Sequence, residues 1–353
     1  MAERIAIIGA GAVGGYLGAY LARAGRDVVV FDPWPEHVEA IRRDGLRLTG
    51  MTEAETLAVP VRACHLTEMQ GLVREAPIDV AIVAVKSYDT GWATTAIAPY
   101  LSPTGYVVSA QNGINEDRIA GVVGWGRTVG CMVGYGFTVD LHAPGQIRRT
   151  GPRRPPGTPS LEVGEVHGRA TERTRRLAEI LADADSTGVT TNLWGIRWSK
   201  LCVNGMRNGL SAATGLGGNA RDSHPVLRRI TIRLGAEGVR VGRALGYDLE
   251  SIAGLAPDLL VAAGDGDAGA LAAVEDKILA GTTGTTRSDL QRPSMGQDIA
   301  KGRRTEIDFL NGEIAARGEA AGIPTPTHSA LTEIVRRVER GTLQPAPETV
   351  LHL

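Results

Sequence analysis

Residues 4–32 read RIAIIGAGAVGGYLGAYLARAGRDVVVFD, and the order of parts in this stretch decides the fold. An apolar run ends in G-x-G-x-x-G at Gly9–Gly14, a helical pattern follows over Val13–Ala24, and a second apolar run closes on Asp32. A glycine triplet alone is a weak signal. Placed between a strand and a helix, and followed by a second strand with a terminal acid, it is the dinucleotide-binding βαβ fingerprint. Gly9 permits the tight turn, Gly11 lets backbone approach a pyrophosphate, and Gly14 allows close helix–strand packing. The amides of Ala12 and Val13 open the helix, where its positive end faces phosphates. Asp32 can accept from the ribose hydroxyls and would repel a 2′-phosphate, so the chemistry favours NAD over NADP. Its plainer reading is a cap for the next helix.

Outward from this stretch, short apolar runs alternate with helical patterns as far as Leu193. "DVAIVAV", "GYVVSA" and "RTVGCMVG" lack polar interruption, as expected of parallel strands covered on both faces. "LEVGE" and "GVTTNL" extend the same sheet. Lys86 and Asn112 follow two of these runs, at the strand ends where such sheets bind ligands. From Trp194 the pattern turns helical: Ile196–Leu210, Pro225–Leu245, Asp267–Ala280, Ser294–Ala320 and Ser329–Arg340. The expected architecture is α/β, with a Rossmann doubly wound sheet over residues 1–191 followed by an all-α domain over 192–353. Two segments read as loops: the basic "RRTGPRRPPG" (Arg148–Gly157), taken as solvated, and the Gly- and Thr-rich Ala280–Pro293, of a length suited to a lid.

Composition narrows the function. With 353 residues, 43% hydrophobic, 22% charged and a net charge of −1, the chain lacks the basic footprint of a nucleic-acid or anionic-membrane binder. Three scattered cysteines offer neither a disulfide framework nor a zinc site, and no histidine pair has metal-ligand spacing, so no metal is expected. A reduced cytoplasmic compartment fits best. The N-terminal run enters a strand at once, which leaves no signal peptide.

The helical half carries its own signal in "KLCVNGMRN" (residues 200–208). Lys200, Asn204 and Asn208 recur every four residues and share one helix face, beside the helix-weakening Gly205 and Gly209. A lysine at its ordinary pKa of about 10.4 is a poor proton shuttle at neutral pH, but desolvation can bring it to roughly 7–8. Two carboxamides can orient a substrate without adding charge. The competing reading is a solvated polar stripe, with Arg207 nearly in line.

Together with "AIVAVKSYDT", "QNGINE" and "RPSMGQDIAKGRRTEIDFLNGE", these stretches resemble the ketopantoate reductase family over nearly the whole chain. The resemblance implies a catalytic cleft between the two domains, with Lys200 as general acid and Asn204 and Asn208 on the substrate. It implies Ser294 at the substrate carboxylate and Glu306 beside the substrate hydroxyl or the lysine. Lys86 and Asn112 would lie along the cofactor, Asn112 also near the substrate. Members that use NADPH commonly carry a basic residue where this chain has Asp32. The expected activity is hydride transfer between NAD(H) and the second carbon of a small 2-keto or 2-hydroxy acid. A non-catalytic NAD sensor and an opine- or β-hydroxyacid-type dehydrogenase are the alternatives. The apolar stripe of "LTEIVRRV" suggests a homodimer formed through the helical domain.

Overall fold

The structure, a computed structural model, describes residues 3–134, 136–155, 157–282 and 293–353. They form two compact units, Met1–Leu193 and Trp194–Leu353.

The first unit begins β1 (Arg4–Ile8), α1 (Ala12–Arg23), β2 (Asp27–Asp32), α2 (Pro35–Asp44), β3 (Leu46–Thr49), β4 (Leu57–Val59), β5 (Arg62–His65) and β6 (Ile78–Val83). It continues α3 (Thr90–Ile97), β7 (Leu101–Ser109), α4 (Glu116–Val123), β8 (Thr128–Val133), β9 (Val139–Ala143), β10 (Gln146–Arg149), β11 (Leu161–Glu165), α5 (Glu172–Ala182) and β12 (Thr187–Val189). Eight strands make one sheet in the order β12-β11-β8-β7-β6-β1-β2-β5. Its pairings are parallel except that of β11 with β8. Period-two alternation explains the unbroken apolar runs. Ile5, Ile7, Val28, Val30, Val80 and Ile82 face one core, whereas Ala6, Ile8, Val29, Phe31, Ala81 and Val83 face the other.

A second sheet, β4-β3-β10-β9, lies outside the sequence expectation. Its strands are three to five residues long, and β3 and β10 carry arginines, so no single run stands out. It packs on α1, where a Cβ at Gly15 would fall 2.5 Å from Ile147 Cδ1. The same sheet corrects the solvated-loop reading of the basic stretch at its first two residues, whereas residues 150–155 form an irregular, largely exposed segment as expected. Arg148 and Arg149 belong to β10, and Arg149 is 2% exposed. Its guanidinium pairs with Asp185 at 2.6 Å, donates to the Gly136 carbonyl at 2.9 Å and lies over the rings of Tyr16 and Phe137. A buried charge is tolerable when paired and hydrogen-bonded in this way. Burial also pushes the Tyr16 phenol up to about 12.

The second unit is helical: α6 (Leu193–Thr214), α7 (Gly218–Ser223), α8 (Pro225–Ala244), α9 (Pro257–Gly264), α10 (Ala268–Ala280), α11 (Ser294–Ala300), α12 (Asn311–Ala321) and α13 (Pro326–Glu339). The single helix expected over Ser294–Ala320 is two. Gly302, at φ +63°, ends α11, and the Arg303 amide returns to the Asp298 carbonyl at 2.8 Å. This left-handed glycine stop satisfies carbonyls that the helix end leaves over. Glu306 therefore sits at a 3₁₀ turn (Ile307–Phe309) between the helices and not on a helix shared with Asp298. The α13 stripe is also reassigned. Leu331, Ile334, Val335 and Val338 are all buried in the chain, so the stripe is not the exposed apolar surface that its sequence suggests. The lid expectation for Ala280–Pro293 falls mostly on residues 283–292, outside those described. Among the described residues, no helix is long and apolar enough to cross a membrane, and no cluster could hold a metal ion.

Candidate functional site

Neighbouring strands β2, β1, β6 and β7 run parallel, so the segments leaving their C-terminal ends lie side by side. Chain order reverses between β1 and β6, which is the switch point where doubly wound sheets take ligands. Four predicted features leave these ends: Asp32 from β2, the glycine loop from β1, Lys86 after β6 and Asn112 after β7.

The glycine loop is held from below. Gly9 has φ +96°, a conformation that only glycine adopts readily. A Cβ on Gly14 would sit 2.0 Å from the Gly9 carbonyl oxygen and 2.9 Å from Ala84 Cβ. At Gly11, the residue before α1, a Cβ would meet no described atom within 4 Å. No internal packing thus requires glycine there, and the open space fits backbone approach by a pyrophosphate. Ala12 and Val13 form the first positions of α1, whose leading amides lack intrahelical acceptors. Asp32 is 8% exposed and braces the loop: its carboxylate accepts from the Ala10 amide at 2.8 Å and from the Trp34 amide at 3.0 Å. The second bond makes a local turn into α2; the residue preceding that helix is Trp34, so Asp32 is not its cap.

His37, which no sequence pattern singles out, is a second brace. Its Nδ1 accepts from the Gly145 amide at 2.8 Å, which leaves Nε2–H to donate to the Ala10 carbonyl at 2.8 Å. Spacing gives no clue to it, because its partners lie 27 and 108 residues away.

Lys86 and Asn112 flank a buried polar lattice built from other residues of "AIVAVKSYDT" and "QNGINE", to which the sequence alone assigns no role. Gln111 Nε2 donates to the Val85 carbonyl and to Thr90 Oγ1, both at 2.8 Å. Asn115 Nδ2 donates to the Asn112 carbonyl at 2.8 Å and to Ser87 Oγ at 3.2 Å. These bonds tie the segments after β6 and β7 together, fixing the backbone from which Lys86 and Asn112 project. Both side chains are half-buried.

In the second unit, α6 carries Lys200, Asn204 and Asn208. The two carboxamides are each 7% exposed and Lys200 is half-buried, so the row is not a solvated stripe. Gly205 and Gly209 serve the neighbouring face. Cβ atoms there would meet His328 Cε1 at 2.9 Å and Leu331 Cδ2 at 2.9 Å, so these glycines admit side chains from α12 and α13. Interior helix glycines cost about 1 kcal/mol each relative to alanine. That cost is offset by close packing of three helices. Ser294 is the first residue of α11 and half-buried. Glu306 is 3% exposed, whereas its neighbour Asp308 meets Arg336 Nη2 at 2.7 Å on a more open part of the turn. Ile307, next to Glu306, reaches α6: its Cδ1 lies 3.3 Å from the Cβ position of Gly209. The structure thus brings the Glu306 turn onto the helix of the Lys200 row. A cavity of about 320 Å³ elsewhere in this unit, lined by Arg207, Asp222 and Lys277, includes none of the predicted residues.

Known proteins resemble this chain over nearly its whole length. Residues 5–155 match the family model described as ketopantoate reductase PanE/ApbA, and residues 192–339 match its C-terminal counterpart. A 2-dehydropantoate 2-reductase of Mesorhizobium japonicum is 31% identical, over 96% of this chain and 99% of its own. The crystal structure of a PanE/ApbA family ketopantoate reductase from Ralstonia eutropha superposes with a TM-score of 0.77 at 30% identity, covering 96% of this chain and 99% of that one. A ternary structure of D-mandelate dehydrogenase with NADH and anilino(oxo)acetate shares the fold, with TM-score 0.76 at 24% identity and coverage of 96% and 99%. Two matched domains, a nucleotide-binding sheet and near-complete coverage lead to one conclusion: the chain belongs to the ketopantoate reductase family, oxidoreductases that act on a 2-keto acid with a nicotinamide cofactor.

Proposed function

We propose that this chain is an NADH-preferring 2-keto acid reductase in which Lys200 is the general acid. The observation that carries the reading is the burial of Asn204 and Asn208 on the helix of a half-buried lysine, with a buried Glu306 on the turn that packs against the same helix. A stripe of no function would be solvated. Bound reduced nicotinamide supplies the hydride. Lys200 Nζ gives a proton to the carbonyl oxygen as it gains negative charge, and Asn204 and Asn208 hold the substrate by neutral hydrogen bonds. Ser294 takes the substrate carboxylate and Glu306 orients the hydroxyl or the lysine. In the first unit, Gly9, Gly11, Ala12, Val13 and Gly14 bind the pyrophosphate, Asp32 the ribose, and Lys86 and Asn112 the nicotinamide end.

Cofactor preference rests on Asp32. A carboxylate has about four acceptor positions, so one that braces the loop can also serve ribose hydroxyls. A unit charge at about 4 Å is repelled by about 4 kcal/mol at an effective dielectric of about 20. After screening by solvent and salt, we expect kcat/KM for NADH to exceed that for NADPH by at least about tenfold. A panel of 2-keto acids assayed with both cofactors tests this, and equal efficiency would refute it. Asp32→Ala should narrow the ratio while lowering both efficiencies, because the glycine loop loses a brace.

Two coarser readings complete the proposal. Cys64, Cys131 and Cys202 are buried and not joined in disulfides, which supports a reducing, cytoplasmic setting. A homodimer is proposed on the prevalence of two-fold assemblies. Light scattering at micromolar concentration should return twice the chain mass, and a monomer would dispose of it.

A further inference from the structure

We propose that Asn311, held by His328, is a positioning residue that sets the Lys200 row against the Glu306 turn. This rests on the reading of Lys200 as the acid. Asn311 is fully buried at the start of α12, directly after the 3₁₀ turn that Glu306 opens. The Leu310 amide beside it bonds the Glu306 carbonyl at 3.0 Å. From this point Asn311 Nδ2 donates to the Gly205 carbonyl of α6 at 2.9 Å, one residue beyond Asn204. A single carboxamide thus joins the backbone of the catalytic helix to the segment that presents the buried glutamate.

The carboxamide is itself oriented. Asn311 Nδ2 also donates to His328 Nδ1 at 3.1 Å, so His328 carries its proton on Nε2 and gives it to the Leu234 carbonyl of α8 at 2.9 Å. The His328 amide is fixed by Glu237 Oε2 at 3.1 Å. Burial pushes the pKa of this imidazole down, in keeping with its accepting role. The chain of bonds runs α8, α13, α12, α6. It occupies space that two missing Cβ atoms leave open: at Gly205 a Cβ would strike His328 Cε1, and at Gly209 it would strike Asn311 Oδ1, each at 2.9 Å.

A purely stabilising role fits poorly. Asn311 Oδ1 is buried with no hydrogen-bond partner among the described residues. A half-satisfied amide adds little net stability over an apolar side chain of similar size. What it supplies is direction: a bond that fixes the rotation and height of α6 relative to the Glu306 turn.

The test separates positioning from folding. Asn311→Ala should leave the Kd for NADH unchanged and KM within about twofold, while single-turnover hydride transfer falls about 10- to 100-fold, the scale of an ångström-level misplacement. Val335→Ala, a core truncation on α13 outside the chain of bonds, supplies a control of comparable thermal stability. His328→Gln can accept from Asn311 and donate to Leu234, so it should retain most of the rate that His328→Leu loses. It also keeps the inference testable should Asn311→Ala not fold. In a Lys200→Ala background, Asn311→Ala should add little further loss. If Asn311→Ala is no slower than the Val335→Ala control, positioning is refuted and the acid assignment stands. If Lys200→Ala itself turns over normally, the acid assignment fails and takes the positioning role with it.

Discussion

Lys200→Ala should bind NADH normally and transfer hydride roughly 10²- to 10⁴-fold more slowly, the loss expected when a general acid is removed. Reducing a ketone places negative charge on oxygen, and without a proton donor that charge persists through the transition state. Cofactor affinity should barely move, because the glycine loop and Asp32 belong to the first unit. Lys200→Arg discriminates two roles. A guanidinium keeps the positive charge but does not release a proton at any working pH. If electrostatic attraction were enough, arginine would restore much of the rate; if proton transfer is required, it would not. Asn204→Ala and Asn208→Ala should act chiefly by raising KM, since they remove contacts shared by ground and transition states. Fluorescence titration of NADH with single-turnover kinetics provides every quantity needed. A folded Lys200→Ala protein with near-full turnover would show that the lysine is not the acid.

What is legible in the sequence follows from the range of each interaction. The glycine loop, Asp32 and the Lys200 row announce themselves through spacing within one turn or one βαβ unit, where local geometry dictates which residues meet. The sheet is legible because both faces of its central strands are buried, so the apolar runs are unbroken. The supporting lattice is not. His37 reaches Gly145, Gln111 reaches Val85, Asn311 reaches Gly205, and each of these bonds depends on tertiary packing that no periodicity encodes. Two differences between expectation and structure have local causes. Gly302, after a lysine, signals the split between α11 and α12, but the acidic and apolar spacing beyond it imitates a continuing helix. The 3₁₀ turn at Ile307–Phe309 preserves enough of the helical repeat to hide the break. The α13 stripe is apolar as its sequence indicates but has a different partner, since a stripe does not state which surface covers it. Local rules find the glycine loop, Asp32 and the Lys200 row as candidates; the groups that hold them in place emerge only from the tertiary structure.

Arg149 shows how far composition can mislead, and it carries the largest expected effect on stability. Within "RRTGPRRPPG" it looks like one more solvated cation, yet it and Asp185 have side chains 2% and 1% exposed. Asp185 is 36 residues away and follows α5. Removing one partner from a buried pair leaves an uncompensated charge, at a cost of about 3–5 kcal/mol. Asp185→Ala also loses the bond that its Oδ1 accepts from the Ser186 amide at 2.8 Å. For a domain of this size each kcal/mol lowers Tm by roughly 2–4 °C, so calorimetry should show a fall on the order of 10 °C in the first unit's transition. The double variant Arg149→Met with Asp185→Leu should recover most of that loss, because replacing both charges by apolar groups is often neutral or stabilising. Recovery need not extend to the cofactor. Arg149 lies against Tyr16, whose helix α1 presents the glycine loop, and Nη1 approaches the phenol oxygen at 3.2 Å. A double variant with restored Tm but weaker NADH binding would show that the pair orients α1 as well as stabilising the unit. A single Asp185→Ala variant with an unchanged Tm would mean that water reaches Arg149 after all.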